Sequence, residues 1–489
     1  METRGVLLQS ACYVLLFLTC VLVLARVRAR HVRQAVLFAS SCALYLTWTP
    51  WFAAVLATSI VVNFMIGKWL QRNPNWLPLS AGLIFNLALL TVFKYLPALA
   101  VHVSSHALRS FVDLALPLGI SFWTFQAMSY LFDLYRGDEL DPSLMEFAMY
   151  MAFFPITISG PVCRLPEMLP QFRSEEKTAW SEVATGIQRI AIGVLMMQIA
   201  KLLGQGILAG DGIVSGFDRT TRWSGADVWC LSFGYGLQLF FDFAGYTHIA
   251  VGVAKALGII VPENFERPFA STNPTIFWTR WHMSLSFWIR DYLFFPLATA
   301  RREVWWRNLA LILSMAAFGI WHRASLLFLI WGCYHGVLLV SHRVIQQWER
   351  NFEWRPPEKL WTALGWLATA IFISLGWILF RASSPAQAVQ MLAATLSPTS
   401  YASHFLSLSL YGLVAVLTAG YALVLLVGSV LDKHIEAARS SEEARSTIAL
   451  IARWRWFWIP SLYALALLFV FLITHGQQVN AGQLMYRRF

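Results

Sequence analysis

Residues 277–296 read FWTRWHMSLSFWIRDYLFFP. The stretch is aromatic enough to lie in lipid, yet it carries Arg280, His282, Arg290 and Asp291. Each ionisable side chain is costly in hydrocarbon, so each needs a partner or a task. Wound as one helix at about 3.6 residues per turn, the segment from Phe277 to Leu297 places Trp278, Trp281, Leu285, Trp288 and Tyr292 on one face. Arg280, Ser284 and Asp291 fall on a second face. His282, Ser286 and Arg290 fall on a third, roughly opposite the second. A helix surrounded by lipid is not built this way. The pattern predicts a helix buried in protein, with one polar face structural and the other wet.

Composition puts the whole chain in the same setting. Of 489 residues, 58% are hydrophobic and 13% charged, where a soluble chain has about a quarter charged. That excludes a soluble enzyme. Apolar runs recur from end to end and leave no long polar block for a separate soluble domain. The expected fold is all-α: a polytopic membrane protein forming one domain over 1–489, with roughly ten to twelve crossings. Runs at Leu116–Leu134, Ala226–Phe243, Ile249–Ile260 and Phe457–Thr474 are among the candidates. Some runs are too short to cross and suit re-entrant pieces. FFPITISGPVCRLPEMLPQF (153–172) contains five prolines and glycines that break helices: Pro155, Gly160, Pro161, Pro166 and Pro170. Such backbone survives at membrane depth only inside protein or along a wet cavity.

The first run, Val6 to Ala25, is followed by Arg26, Arg28, Arg30 and Arg33. It reads as a span rather than a cleaved signal peptide. The arginines place the following loop in the cytoplasm and the N-terminus outside. Loop arginines also account for the net charge of +11, and no basic soluble surface points to nucleic acid. The six cysteines are scattered without a CxxC pair, which argues against a disulfide framework or a zinc site. The segment Asp432–Arg455 reads as a charged loop.

Three histidines are candidates for chemistry. His282 shares its wheel face with a serine and an arginine. His322 lies between Gly319 and the apolar run Ser325–Val340, in AFGIWHRASLLFLIWGCYHGVLL (317–339). His335 is thirteen residues on, so one straight helix cannot present both. Metal binding is not expected, because no i, i+4 pairing or carboxylate cluster accompanies them. No G-x-S-x-G elbow and no phosphate loop appear. A histidine acting as general base on a hydroxyl is the simplest chemistry available. Arg280 and Asp291 read as structural ion-pair members.

Several ordered stretches resemble the membrane-bound O-acyltransferases, in the bacterial branch of alginate O-acetylation and teichoic-acid D-alanylation membrane proteins. They are FNLALLTVFKY (85–95), LPLGISFWTFQAMSYLFDLYRG (116–137) and FFPITISGPVCR (153–164). LFFDFAGYTHIAVGVAKALGI (239–259), PENFERPF (262–269), FWTRWHMSLSFWIRDYLFFPL (277–297), FGIWH (318–322) and LGWILFRASSPAQA (375–388) continue the series. The resemblance spans about Asn86 to Arg381, with further C-terminal helices expected over 404–474. It implies helices and re-entrant pieces around a central catalytic cavity. It places the family's catalytic histidine at His322 and its second characteristic histidine at His282, with Arg280 and Asp291 bracing the latter.

The reaction implied is acyl transfer from a thioester, acetyl-coenzyme A or an acyl carrier protein, with no bound cofactor. His322 would take the acceptor's proton. His282 would orient the acceptor or hydrogen-bond the carbonyl. The acceptor implied is a hydroxyl of an exported or cell-envelope polysaccharide. The setting implied is a bacterial inner membrane, with lipid around the protein and an extracytoplasmic partner acyltransferase or esterase-like protein. Lipid, protein or teichoic-acid-type acceptors are the nearest alternatives, and a non-catalytic acyl or solute transporter is the different-class alternative. Two departures stand out. The glycine pair that follows RDYL in the alginate-type proteins is missing from FFPLATARREVWWRN (294–308), so alginate itself is not the expected acceptor. Arg323 replaces the usual glycine after the histidine. Arg323, Arg301 and Arg302 are candidates to meet donor phosphate, although topology-setting is the ordinary role of such arginines.

Overall fold

The computed structural model describes residues 2–48, 50–97, 117, 119–157, 159–207, 210–219, 222–351 and 357–438. Four helices open the chain: α1 (Glu2–Leu24), α2 (Arg30–Trp48), α3 (Pro50–Arg72) and α4 (Trp76–Leu90), the last continuing into a π-turn over Thr91–Tyr95. Next come α5 (Ile120–Arg136), α6 (Leu144–Ala152), α7 (Leu165–Phe172), α8 (Trp180–Gln205), α9 (Ile213–Asp218) and α10 (Gly225–Ala256). Three short helices follow: α11 (Pro274–Arg280), α12 (Met283–Ile289) and α13 (Phe295–Thr299). Then come α14 (Val304–His322), α15 (Leu326–Glu349), α16 (Glu358–Arg381), α17 (Pro385–Leu396) and α18 (Leu408–Ala438).

The all-α, multi-pass expectation holds. Seven of the described helices are long and apolar enough to cross a membrane. The two runs read at Ala226–Phe243 and Ile249–Ile260 form one helix, α10. Residues 432–438, assigned above to a charged loop, continue α18; the rest of that loop and the run Phe457–Thr474 lie outside the described residues. The chain divides into two compact units. The first comprises Met1–Ile190, Tyr246–Asn264 and Trp281–Ser314; the second comprises Ala191–Gly245, Phe265–Arg280 and Met315–Phe489.

In the first unit, large side chains of α1–α7 and the end of α10 form a continuous core that includes Leu24, Tyr130, Phe147, Tyr150, Phe153 and Phe172. Gly67 lets α3 approach α5, since a Cβ there would stand 2.3 Å from the Tyr130 hydroxyl. Between α3 and α4, Asn86 Nδ2 donates to Asn63 Oδ1 at 2.6 Å, and both amides are fully buried. Paired amides of this kind tie apolar helices together without leaving polar atoms in hydrocarbon.

The proline-rich stretch is broken over 153–164 as expected, whereas 165–172 is helical and carries Pro170 inside the helix. α6 ends at Ala152, and helix resumes only at α7, where Pro166 occupies the first turn that has no N–H to lose. The intervening backbone is buried and bonded to side chains. Tyr150 Oη donates to the Cys163 carbonyl at 2.9 Å, Thr157 Oγ1 to the Phe153 carbonyl at 2.8 Å, and Val162 N to Ser284 Oγ at 2.9 Å. That satisfies the rule for irregular backbone at depth.

In the second unit, α14 and α15 form a hairpin in which glycines remove the usual spacing. A Cβ at Gly319 would lie 2.0 Å from the Phe328 carbonyl oxygen, and one at Gly332 would lie 2.2 Å from that of Met315. The turn is short because Ser325 caps α15, accepting from Phe328 N at 3.4 Å. α10 meets α16 at Gly236, where a Cβ would stand 2.5 Å from Trp377 Nε1. The Asp227 carboxylate near the start of α10 accepts from the N–H groups of Phe405 and Leu406 and from Tyr411 Oη, anchoring the start of α18.

Candidate active site

His322 is the last residue of α14. The glycine contact with α15 sets it among aromatic rings of the second unit. Its ring centroid is 4.8 Å from Phe318 and from Trp321, 5.3 Å from Phe380 and 5.6 Å from Trp331. The imidazole is half-buried, so it is shielded on several sides but not sealed. A base that is only partly buried among aromatic rings suits proton transfer with a bound hydroxyl. His335 sits on α15 and is 1% exposed. The hairpin does what one straight helix does not: His322 and His335 both pack on the ring of Trp331.

His282 belongs to the first unit, and its position corrects the single-helix reading of 277–297. The helix stops at Arg280 and restarts at Met283, and a π-turn over Arg290–Phe294 interrupts it again. His282 lies in the break with φ 45° and ψ 51°, the left-handed region, and is 2% exposed. The break is organised by Asn264. Its backbone carbonyl accepts from Met283 N at 2.9 Å. Its side-chain oxygen accepts from Ser284 Oγ at 2.6 Å, Ser284 N at 3.3 Å and His282 Nδ1 at 3.3 Å. Its amide nitrogen donates to Thr247 Oγ1 at 3.3 Å. Because the Asn264 oxygen only accepts, His282 carries its proton on Nδ1, which leaves Nε2 as the lone-pair nitrogen. His282 and Ser284, opposite each other on the wheel, therefore share one acceptor.

Asn264 was missed from the sequence. The only signal was its place in PENFERPF, a stretch quoted for resemblance and not for chemistry.

The ion-pair reading holds for Asp291 and not for Arg280. Asp291 Oδ2 is 2.6 Å from Arg164 Nη2, and Oδ1 is 2.7 Å from Arg290 Nε. Arg136 donates to the Asp291 carbonyl at 2.6 Å, and both Arg136 and Arg164 lie over the Tyr292 ring. Arg164 comes from the broken stretch 153–164, so Asp291 fixes that stretch to the π-turn. Arg280 makes no ion pair among the described residues; its backbone carbonyl accepts from Glu266 N at 3.1 Å. The three arginine candidates for donor phosphate are exposed. Arg301 lies over Trp306 at 4.9 Å, and Arg302 and Arg323 make no ion pair among the described residues. Among those residues no group of three or more His, Cys, Asp or Glu gathers as a metal site would require.

Residues 41–384 match the family model of MBOAT, the membrane-bound O-acyltransferase family, which begins well before the Asn86 limit of the resemblance. The chain is 33% identical over 405 residues to a probable alginate O-acetylase, AlgI, of Azotobacter vinelandii, covering 80% of this chain and 78% of that one. It is 32% identical over 387 residues to a peptidoglycan O-acetyltransferase of Helicobacter pylori, covering 71% of each. It is 32% identical over 312 residues to a teichoic acid D-alanyltransferase of Bacillus subtilis, covering 61% of this chain and 75% of that one.

Proposed function

The chain belongs to the membrane-bound O-acyltransferase family, and on that premise we propose that it moves an acetyl group from a cytosolic thioester to hydroxyls of an exported or cell-envelope polysaccharide. Family membership makes it an acyltransferase and sets the transporter alternative aside. The relatives act, by their names, on alginate, peptidoglycan and teichoic acid. An exported or cell-envelope polymer is the acceptor class they have in common.

His322 is the general base. The observation that carries this is its seat at the α14–α15 turn, where Gly319 allows the close approach of the helices, ringed by Trp331 and Phe380 and only partly buried. It takes the proton of the acceptor hydroxyl as the oxygen attacks the thioester carbon, and returns it to the leaving thiolate. His282, its Nδ1 proton committed to Asn264, is the second position for acceptor handling. The donor is acetyl-coenzyme A or an acylated carrier protein. The protein works from the bacterial inner membrane with an extracytoplasmic partner that completes delivery to the polymer. A teichoic-acid-type acceptor is the second reading, favoured by the Bacillus relative.

The test is acyl release from a labelled acetyl thioester by wild type and His322→Ala, both shown to melt alike. Loss in the variant alone supports the base assignment. Equal turnover moves the chemistry elsewhere, with His282→Ala the next variant to assay.

A further inference from the structure

Among the buried polar atoms of the second unit that have no hydrogen-bond partner among the described residues are Trp278 Nε1, Trp331 Nε1 and both ring nitrogens of His335. The three side chains form one cluster. The His335 ring is edge-on to Trp278 at 5.1 Å and 4.9 Å from Trp331, and the two indoles are 5.9 Å apart. His335 and Trp331 are each 1% exposed. Each such atom has lost water without compensation, and a well-packed protein tolerates few of them. Four together, with Trp331 also 5.6 Å from the His322 ring, mark a place kept polar for something other than folding.

Their chemistry restricts what they take. An indole N–H only donates, and a neutral imidazole donates from one nitrogen and accepts at the other. The cluster thus presents three donors and one acceptor. An oxygen that gathers negative charge is the group that uses three donors.

We propose that Trp278, Trp331 and His335 bind the acyl oxygen of the thioester donor and hold it as it becomes an oxyanion beside His322. The proposal rests on the acyl-transfer reading above and deepens it. The acceptor oxygen attacks the carbonyl carbon, the new C–O bond forms, the carbonyl π pair moves to oxygen, and His322 takes the hydroxyl proton. On collapse the C=O re-forms, the C–S bond breaks, and the thiolate receives the proton from His322. The three N–H groups act on the oxygen between these events. Donors not committed to acceptors within the protein are what such stabilisation requires. Gly376 makes room for the imidazole, because a Cβ there would stand 2.6 Å from His335 Nε2.

The test uses the full-length protein and a ketone analogue of acetyl-pantetheine, in which a methylene replaces the thioester sulfur. Pantetheine is the arm common to coenzyme A and acyl carrier proteins. The analogue is expected to raise the melting temperature of wild type and of His322→Gln, but not of His335→Leu or Trp331→Phe. Those two variants should lose about a hundredfold in turnover of a labelled acetyl thioester, mainly in kcat. Their melting temperatures without ligand should hold or rise, because a buried unpaired polar group has gone. Where His335→Leu does not fold, Gly376→Ala crowds the same imidazole and gives the same readout.

Three results overturn the proposal: no stabilisation of wild type by the analogue, stabilisation unchanged in the variants, or turnover within about threefold of wild type. A lowered melting temperature with turnover retained assigns the cluster to structure instead. If wild type binds the analogue through His335 but turns over no thioester, the binding site stands and the acyl-transfer reading falls.

Discussion

His282 is held where a side chain other than glycine rarely sits. A left-handed residue with a Cβ costs about 1–2 kcal/mol, and His282 persists there because Asn264 binds its imidazole and the two residues that follow it. Strain at a buried histidine is the pattern of a site built for function. Replacing His282 by glycine removes the strain together with the imidazole. The melting temperature is expected to stay within a few degrees while acyl transfer falls by about a hundredfold or more; circular dichroism and the thioester assay measure the two effects. Asn264→Ala does the opposite kind of damage. It strands the donors of His282 and Ser284 in a buried site, costing about 2–4 kcal/mol, and lets the imidazole swing. Activity should drop about a hundredfold while His282 is still present. None of this was legible in RWHMS, which contains no glycine or proline. The break comes from a residue eighteen positions upstream, a tertiary contact that no local pattern announces.

At the scale of elements, the proline-rich stretch was legible and the aromatic segment was not, for the same reason. Proline breaks a helix through its own covalent structure, so the irregularity of 153–164 showed in sequence, although Pro170 is carried inside α7. The segment 277–297 is broken by its surroundings, so a helical wheel misplaced its faces. The α14–α15 hairpin is intermediate. Its glycines were visible, but their function, a backbone approach at Phe328, was not. Gly319→Ala places a methyl against a carbonyl that belongs to the neighbouring helix. It should destabilise the protein by about 1–3 kcal/mol and displace His322, so that residual activity falls further than the loss of folded protein explains. Comparing turnover per folded molecule with the melting curve separates the two.

The N-terminus of α6 supplies a pH signature. Glu146 completes a capping box with Ser143 and pairs with Arg173 and Arg30. Arg173 first, then the Ser143 N–H and Arg30, outweigh burial and hold its carboxyl down to about 2. An unfolded glutamate titrates near 4.3. The pairing therefore contributes fully above that value and is lost as pH falls from about 4.5 towards 2. That contribution is of order 2 kcal/mol. Melting temperature should fall through this window in wild type. Glu146→Gln should be less stable at neutral pH and show a shallower slope over the same window.

At the scale of the molecule, class was the most legible property. Few charges and recurrent apolar runs leave a polytopic helical protein as the one arrangement that satisfies its own backbone in lipid. Orientation was read from the four arginines that follow α1, and the structure shows that they are not equivalent. Arg33 is buried and donates to the Leu24 carbonyl at 2.8 Å, capping the C-terminus of α1 where a cation also suits the helix dipole. Arg30 pairs with Glu146 at 2.6 Å. Among the described residues, Arg26 and Arg28 alone of the four are exposed without such a structural bond, so the topological signal rests on two charges rather than four. Two cations in a short loop still favour the cytoplasmic side, by the cost of carrying them across. A cysteine introduced as Arg28→Cys should resist a membrane-impermeant maleimide in intact spheroplasts and react once they are opened. Reaction in intact spheroplasts would place this loop, and with it the exposed arginines, on the outer face. Neutralising Arg26 and Arg28 together should then weaken orientation, whereas Arg33→Gln should leave orientation intact and lower the melting temperature, because its charge caps a helix and does not face the cytosol.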